Sequence, residues 1–163
     1  DGTAFVFMGH GTSHTANVTY DQMQTQMEDL GFTNAFIGTV EGEPEDTECQ
    51  AVIEKVKEAG FKKVVLRPLM VVAGDHANND MAGDDEDSWK SQFVASGDFD
   101  NVDCQIEGLG RIEAVEDLYV EHTKAAIDSL GTAAEATTDD ADAEATDDTA
   151  ADDAAETTEE AAE

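Results

Sequence analysis

Four times within its first 131 residues the chain passes from a short apolar run of strand character to a stretch of helical periodicity. No other feature narrows the fold as far. "TAFVFM" (3–8), "NAFIGTV" (34–40), "KVVLRPLMVV" (63–72) and "VDCQIEGL" (102–109) are β-branched or aromatic runs with glycines at or near their ends. Between and after them lie helical patterns. Val18 to Leu30 carries Met23, Met27 and Leu30 on one stripe and stops at Gly31; Asp46 to Ala59 carries Val52, Ile53 and Val56 and stops at Gly60. Asp84 to Ala95 sets Trp89 and Phe93 four apart, a core spacing rather than a cofactor box, and Glu113 to Leu130 is followed by Gly131. The alternation predicts an α/β fold: a small, doubly wound, parallel four-stranded sheet of the flavodoxin-like kind, with helices on both faces. Ligands of such sheets bind at the carboxyl ends of the strands, near the switch in strand order.

The alternation ends at residue 131. From Thr132 to Glu163 there is no aromatic residue, no Leu, Ile, Val or Met and no base, and the segment holds 13 of the 39 acidic residues. Such a composition cannot bury enough apolar surface to offset its ordering entropy, so residues 132–163 are expected to form a disordered acidic tail behind a folded domain of residues 1–131. The 26 remaining acids still outnumber the 8 Lys and Arg of the whole chain, whose net charge is −31. That balance argues against nucleic acid, which requires a basic stripe, and favours cations.

Cys49 and Cys104 form no CxxC pair and are expected to be buried thiols. No run reaches the roughly 18 apolar residues of a membrane span, and no signal peptide is visible. The chain opens at Asp1 almost directly in a strand, as though cut from something longer.

Three loops follow the first three strand runs: "GHGTSH" (9–14), "EGEP" (41–44) and "AGDHANND" (73–80). Placed at strand carboxyl ends, they bring His10, Glu41 and His76 to one edge. Two imidazoles and a carboxylate leave coordination positions open, which suits a divalent transition metal that must react or be passed on. Each residue alone has an ordinary reading: His10 as a turn residue between glycines, Glu41 as a solvated loop acid, His76 as a side chain satisfied by Asp75 or Asn78. Together they gain weight, because three of the four histidines (His10, His14 and His76) fall on this edge, and only His122, in the last helix, does not. Gly9, Gly11 and Gly74 would let backbone approach a large flat ligand. Asp75 is the candidate acceptor for a ring N–H of His76. There is no GxGxxG and no GKS or GKT, so no nucleotide is expected.

"VFMGHGTSH", "GTVEGEP" and "LRPLMVVAGDHANNDMAGDDEDSWK" resemble the anaerobic cobalt chelatases that insert Co²⁺ into sirohydrochlorin during cobalamin synthesis. The resemblance covers nearly all of residues 3–130. It implies a class II chelatase, a lyase related in fold to ferrochelatase, in which two similar α/β halves face each other across a cleft. It further implies that His10, Glu41 and His76 are the metal-binding and catalytic residues, His10 being the favoured base for the two pyrrole N–H protons lost on insertion. Gly11, Thr12, Asp75 and Arg111 become candidate substrate contacts. Arg111 would meet a carboxylate of sirohydrochlorin, although a solvated Arg remains an equal reading.

Only the second half of the usual cleft is present, so a missing N-terminal half-domain or a homodimer partner is implied. Co²⁺ is expected as the substrate metal, with Fe²⁺ or Ni²⁺ as alternatives the ligand set accepts. The expected compartment is the cytoplasm, or the cell surface if the acidic tail serves as a tether. The rival function is a non-catalytic or exported tetrapyrrole- or metal-binding module.

Overall fold

In the structure, a computed structural model describing residues 2–139 with side chains up to residue 130, four parallel strands form one sheet. They are β1 (Thr3–Gly9), β2 (Ala35–Thr39), β3 (Lys63–Pro68) and β4 (Asn101–Cys104), in the order β2-β1-β3-β4. The order reverses between β1 and β3, which makes the gap beyond their carboxyl ends the switch point. Gly9 pairs with Thr39 and Met8 with Pro68, so three strands end level.

Alternation along β1 divides the two faces. Ala4, Val6 and Met8, with Val64 and Leu66 of β3, are fully buried beneath α2 (Cys49–Glu58) and α3 (Trp89–Ala95), which supply Val52, Ile53, Val56, Trp89 and Phe93. Trp89 lies over Gly38 of β2, where any Cβ would overlap the indole and meet Val52 Cγ2 at 3.0 Å. Phe93 stacks on Trp89 with centroids 6.2 Å apart. Phe5 and Phe7 face the other way, toward α1 (Val18–Asp29) and its Met27. Helices therefore cover both faces, as expected. Gln24 of α1 also occupies the outer edge of β2, donating to the Ala35 carbonyl at 3.1 Å and accepting from Ile37 N–H at 2.9 Å. An edge strand's unpaired amides are thereby satisfied within the chain.

Several boundaries differ from the sequence expectation, each for a local reason. The third run breaks at Pro68 instead of continuing to 72, and the fourth ends at Cys104 instead of 109. Gln105 N–H still donates to the Leu66 carbonyl at 2.9 Å, but the next rung of a parallel ladder needs a donor at residue 68, and proline has none. The helix expected from Asp84 begins at Trp89, because Ser88 caps it by accepting Ser91 N–H at 3.2 Å. Asp46 belongs to a 3₁₀ turn, Glu45–Thr47, ahead of α2.

Helix α4 (Glu113–Asp139) runs through Gly131 without stopping. Of the segment expected to be a disordered tail, residues 132–139 are helical in backbone and 140–163 lie outside the described residues. The chain divides into two units between Val120 and Glu121, within α4.

The cysteines are free and half-buried, less enclosed than expected. Desolvation, helped by the neighbouring Glu48 charge, pushes the Cys49 thiol up to about 12, and burial raises Cys104 as well. The Cys49 thiolate is then scarce at pH 8. Iodoacetamide labelling of the native chain at that pH is expected to be slower at both cysteines than at an unfolded thiol, and slowest at Cys49; mass spectrometry of timed digests reads it, and Cys49 labelling at the unfolded rate would contradict the burial.

Candidate metal-handling site at the sheet switch point

Beyond the end of β1 the backbone continues to hold the β2 loop. Val40 N–H donates to the Gly9 carbonyl and Glu41 N–H to the His10 carbonyl, both at 2.9 Å. Two rungs past the strands, His10 and Glu41 are therefore adjacent by main-chain pairing, and His10 Nε2 lies 4.0 Å from Glu41 Oε1. Gly11 permits this closeness. Its φ is +92°, and an added Cβ would stand 2.9 Å from Glu41 Cβ and 3.0 Å from Thr39 Cβ.

The Glu41 loop is held from beneath by buried hydroxyls. Glu43 N–H donates to Thr39 Oγ1 at 3.1 Å, the Thr39 hydroxyl meets Thr47 Oγ1 at 2.6 Å, and the Thr47 hydroxyl donates to the Pro44 carbonyl at 2.6 Å. On the His10 side, Tyr20 of α1 accepts the Gly11 N–H at 2.9 Å. Its ring fills the space a Cβ on Gly9 would need, at 2.5 Å. Tyr20, Thr39 and Thr47 were not singled out from sequence. Nothing local marks a Tyr nine residues downstream as a loop anchor, whereas an isolated Thr in an apolar strand was a readable signal.

The third residue comes from the loop after β3, where Ala77–Met81 winds into a single π-helical turn absent from the sequence expectation. Ala77 and Met81 are fully buried and fix the turn to the core, which turns His76 and Asp80 outward together. The His76 and His10 rings meet edge to face with centroids 4.8 Å apart.

Hydrogen bonds set the tautomers. His10 Nδ1 faces the Gly11 carbonyl at 2.9 Å, an oxygen that can only accept, so the proton sits on Nδ1 and the Nε2 lone pair is free. His76 Nδ1 likewise faces the Asp80 carboxylate, which leaves its Nε2 as the open nitrogen. His14 differs. Its Nδ1 accepts the Ala16 N–H at 3.0 Å and caps the 3₁₀ turn Thr15–Asn17, so that lone pair belongs to the fold.

The expected residues thus fall out unevenly. His10, Glu41 and His76 are neighbours, but among the described residues no three His, Cys, Asp or Glu side chains form a ready-made metal cage. His10 and Glu41 are 57% and 52% exposed, so the three stand as an open set. Asp75 is not the partner of His76; its carboxylate accepts from Asn79 at 2.6 Å, because the helical turn pairs residue i with i+4 and gives His76 to Asp80. Gly9 and Gly11 make room for Tyr20, Thr39 and Glu41, and a Cβ added at Gly74 would meet nothing within 4 Å. Gly11 and Thr12 do line a cleft of about 530 Å³ with His10, Ser13, Glu41 and Glu43. Thr12 Oγ1 accepts His14 N–H at 3.1 Å. Arg111 ends a 3₁₀ turn, Leu109–Arg111, ahead of α4.

Comparison with known proteins gives the family of the chain. The chain is 42% identical over 122 residues to a sirohydrochlorin cobaltochelatase of Salmonella typhimurium, covering 75% of this chain and 44% of that protein. It is 35% identical over 129 residues to sirohydrochlorin cobaltochelatase CbiKC of Nitratidesulfovibrio vulgaris, covering 78% and 43%. The chain spans less than half the length of these curated relatives. A cobalamin (vitamin B12) biosynthesis CbiX protein of Marinobacter aquaeolei shares the fold, with a TM-score of 0.55 at 16% identity over 78% of this chain and 98% of that one. The family model described as cobalt chelatase (CbiK) matches residues 1–128, and by that match the chain belongs to the CbiK cobalt chelatase family.

Proposed function

We propose that this chain carries the metal-handling half of a chelatase that inserts Co²⁺ into sirohydrochlorin. The observation that carries the reading is the pair of edge-to-face imidazoles at the switch point, each with its Nδ1 proton committed and its Nε2 lone pair free, beside Glu41. Insertion exchanges two pyrrole N–H protons for one divalent metal. His76 and Glu41 hold Co²⁺ beside the ring, and His10 takes the departing protons in turn and releases them to water through the exposed cleft. Fe²⁺ and Ni²⁺ satisfy the same donors, so selectivity rests on supply and on the ring as much as on these side chains. Gly11 and Thr12, on the cleft wall, are substrate contacts in this reading, and Asp75 supports the turn through Asn79.

The open face of the site calls for a second wall. In the proposal a further half-domain or a second copy of the chain provides it. The compartment proposed is the cytoplasm, supported by the two free thiols. Among the described residues no helix is long and apolar enough to cross a membrane.

The test is turnover: the chain is mixed with sirohydrochlorin and Co²⁺ and the macrocycle's absorption followed. A cobalt-dependent spectral change faster than the protein-free rate supports insertion. Binding of ring and metal without faster insertion, with or without a second half, supports instead a non-catalytic carrier, a reading favoured by the exposure of His10 and Glu41.

Asp80 gives a graded check. Asp80→Ala frees the His76 ring and is expected to weaken Co²⁺ binding about 10- to 100-fold, whereas Asp80→Asn, which still accepts the Nδ1 proton, keeps much of it. Titration followed by the Co²⁺ ligand-field bands measures both; equal affinities for wild type and Asp80→Ala would remove Asp80 from the site.

A further inference from the structure

The peptide unit between His10 and Gly11 is held at both ends. Its carbonyl, on His10, accepts the Glu41 N–H at 2.9 Å from the loop after β2, and its N–H, on Gly11, donates to the Tyr20 hydroxyl at 2.9 Å from α1. A planar unit clamped on both edges cannot tilt, so ψ of His10 and φ of Gly11 are fixed together. Gly11 stands at φ +92°, a left-handed value that favours glycine, and its carbonyl comes back to the His10 ring, meeting Nδ1 at 2.9 Å. Tyr20 has little freedom of its own. It lies in the first turn of α1, and its Cε1 packs so closely on the strand that a Cβ added at Gly9 would stand 2.5 Å away.

The consequence falls on the His10 proton. A neutral imidazole side chain in water favours the Nε2–H form, which would block the nitrogen that carries the open lone pair. The Gly11 carbonyl reverses that preference, because it can only accept and so rewards a proton on Nδ1. Without the Tyr20 hydroxyl the Gly11 N–H loses its partner, and the cheapest remedy for a part-buried amide is to swing toward water. The Gly11 carbonyl would then leave Nδ1. Tyr20 is not among the residues that line the cleft with His10 and Glu41, so its hydroxyl acts through Gly11 and not on a ligand.

We infer that Tyr20 is a positioning residue for metal insertion: its hydroxyl holds the His10–Gly11 peptide so that the Gly11 carbonyl keeps the His10 proton on Nδ1 and leaves the Nε2 lone pair free. The effect on turnover rests on the chelatase reading, in which His10 takes the pyrrole protons; the effect on the ring does not. Because His76 and Glu41 hold the metal in that reading, losing the hydroxyl slows proton removal and spares binding.

The experiment compares the full wild-type chain with Tyr20→Phe, which keeps the ring against Gly9 and removes only the hydroxyl, and uses His10→Ala to assign the His10 signals. Circular dichroism and thermal melts show that each variant folds. Long-range proton–nitrogen correlation spectra, recorded without metal where the imidazoles are neutral, read which ring nitrogen of His10 carries the proton, and turnover with sirohydrochlorin and Co²⁺ reads the rest. Wild type is expected to hold the proton on Nδ1 and Tyr20→Phe to show a mixture richer in Nε2–H, with kcat about tenfold lower and the KM for sirohydrochlorin and the Co²⁺ affinity within about twofold of wild type. A wild-type nitrogen pattern or an unchanged kcat in Tyr20→Phe overturns the inference and leaves the chelatase reading standing. Loss of binding, turnover and melting temperature in step overturns it too, since a purely structural contact would give that result. A wild-type chain that inserts no cobalt overturns the chelatase reading, and the nitrogen pattern then still decides whether Tyr20 sets the ring.

Discussion

Cobalt insertion by a His10→Ala or His76→Ala chain is expected to fall at least about 100-fold, the usual scale for removing a proton-transferring group or a metal ligand. The two substitutions should fail differently. His76→Ala removes the nitrogen whose orientation Asp80 fixes, so it should lose Co²⁺ affinity first. His10→Ala removes the proposed base while His76 and Glu41 remain, so it should keep more of the metal binding and lose the insertion step. Stopped-flow spectra of the macrocycle, together with Co²⁺ titrations, separate the outcomes. Two internal comparisons sharpen the result: His14→Ala, which removes a turn cap, is expected to cost some stability and little turnover, and His122→Ala to retain turnover. Full activity in either of the first two variants would remove that residue from the mechanism.

The largest effect on folding is expected at Trp89. Its indole is 4% exposed, lies against Gly38 of β2 and stacks on Phe93, so Trp89→Ala opens a cavity beside the sheet's central face and should cost about 3–5 kcal/mol. For a domain whose whole stability is about 5–15 kcal/mol, the variant would be marginal at 37 °C. Urea denaturation followed by far-UV circular dichroism measures the difference, and a loss below about 1 kcal/mol would mean that the indole is not the centre of the packing described above.

That His10 and Glu41 come together was legible in the sequence because each follows a strand by one or two positions, and parallel strands of similar length end level, whereas His76 stands eight residues beyond β3 and meets His10 through the loop that ends in the turn Ala77–Met81. The pairings Gly9 with Thr39 and Met8 with Pro68 turn that general habit into adjacency. Trp89 was legible for a similar reason: its spacing from Phe93 repeats with the helix. What escaped was whatever depended on a local winding or a contact across elements. Asp75 neighbours His76 in sequence, but once the chain enters a helical turn the neighbour in space is four residues on, which is Asp80. Tyr20 reaches Gly11 from α1, and no period announces it. Pro68 is a different case. The signal stood in the third run, and its missing N–H accounts for both shortened strands. Gly131, taken as a stop, lies among Ala and Glu residues whose helix propensity carries the backbone past it.

The two main-chain rungs beyond the strands, from Val40 to Gly9 and from Glu41 to His10, separate spacing from chemistry at this edge. The distance between positions 10 and 41 is written in amide and carbonyl groups that every amino acid but proline supplies, so the side chains there are interchangeable parts on a fixed mount. Exchanging Glu41 for His or Cys would alter which cations are preferred without changing how far apart the two donors' backbones stand. Metal preference could thus drift among descendants of such a chain by single substitutions, while the socket itself is inherited with the sheet.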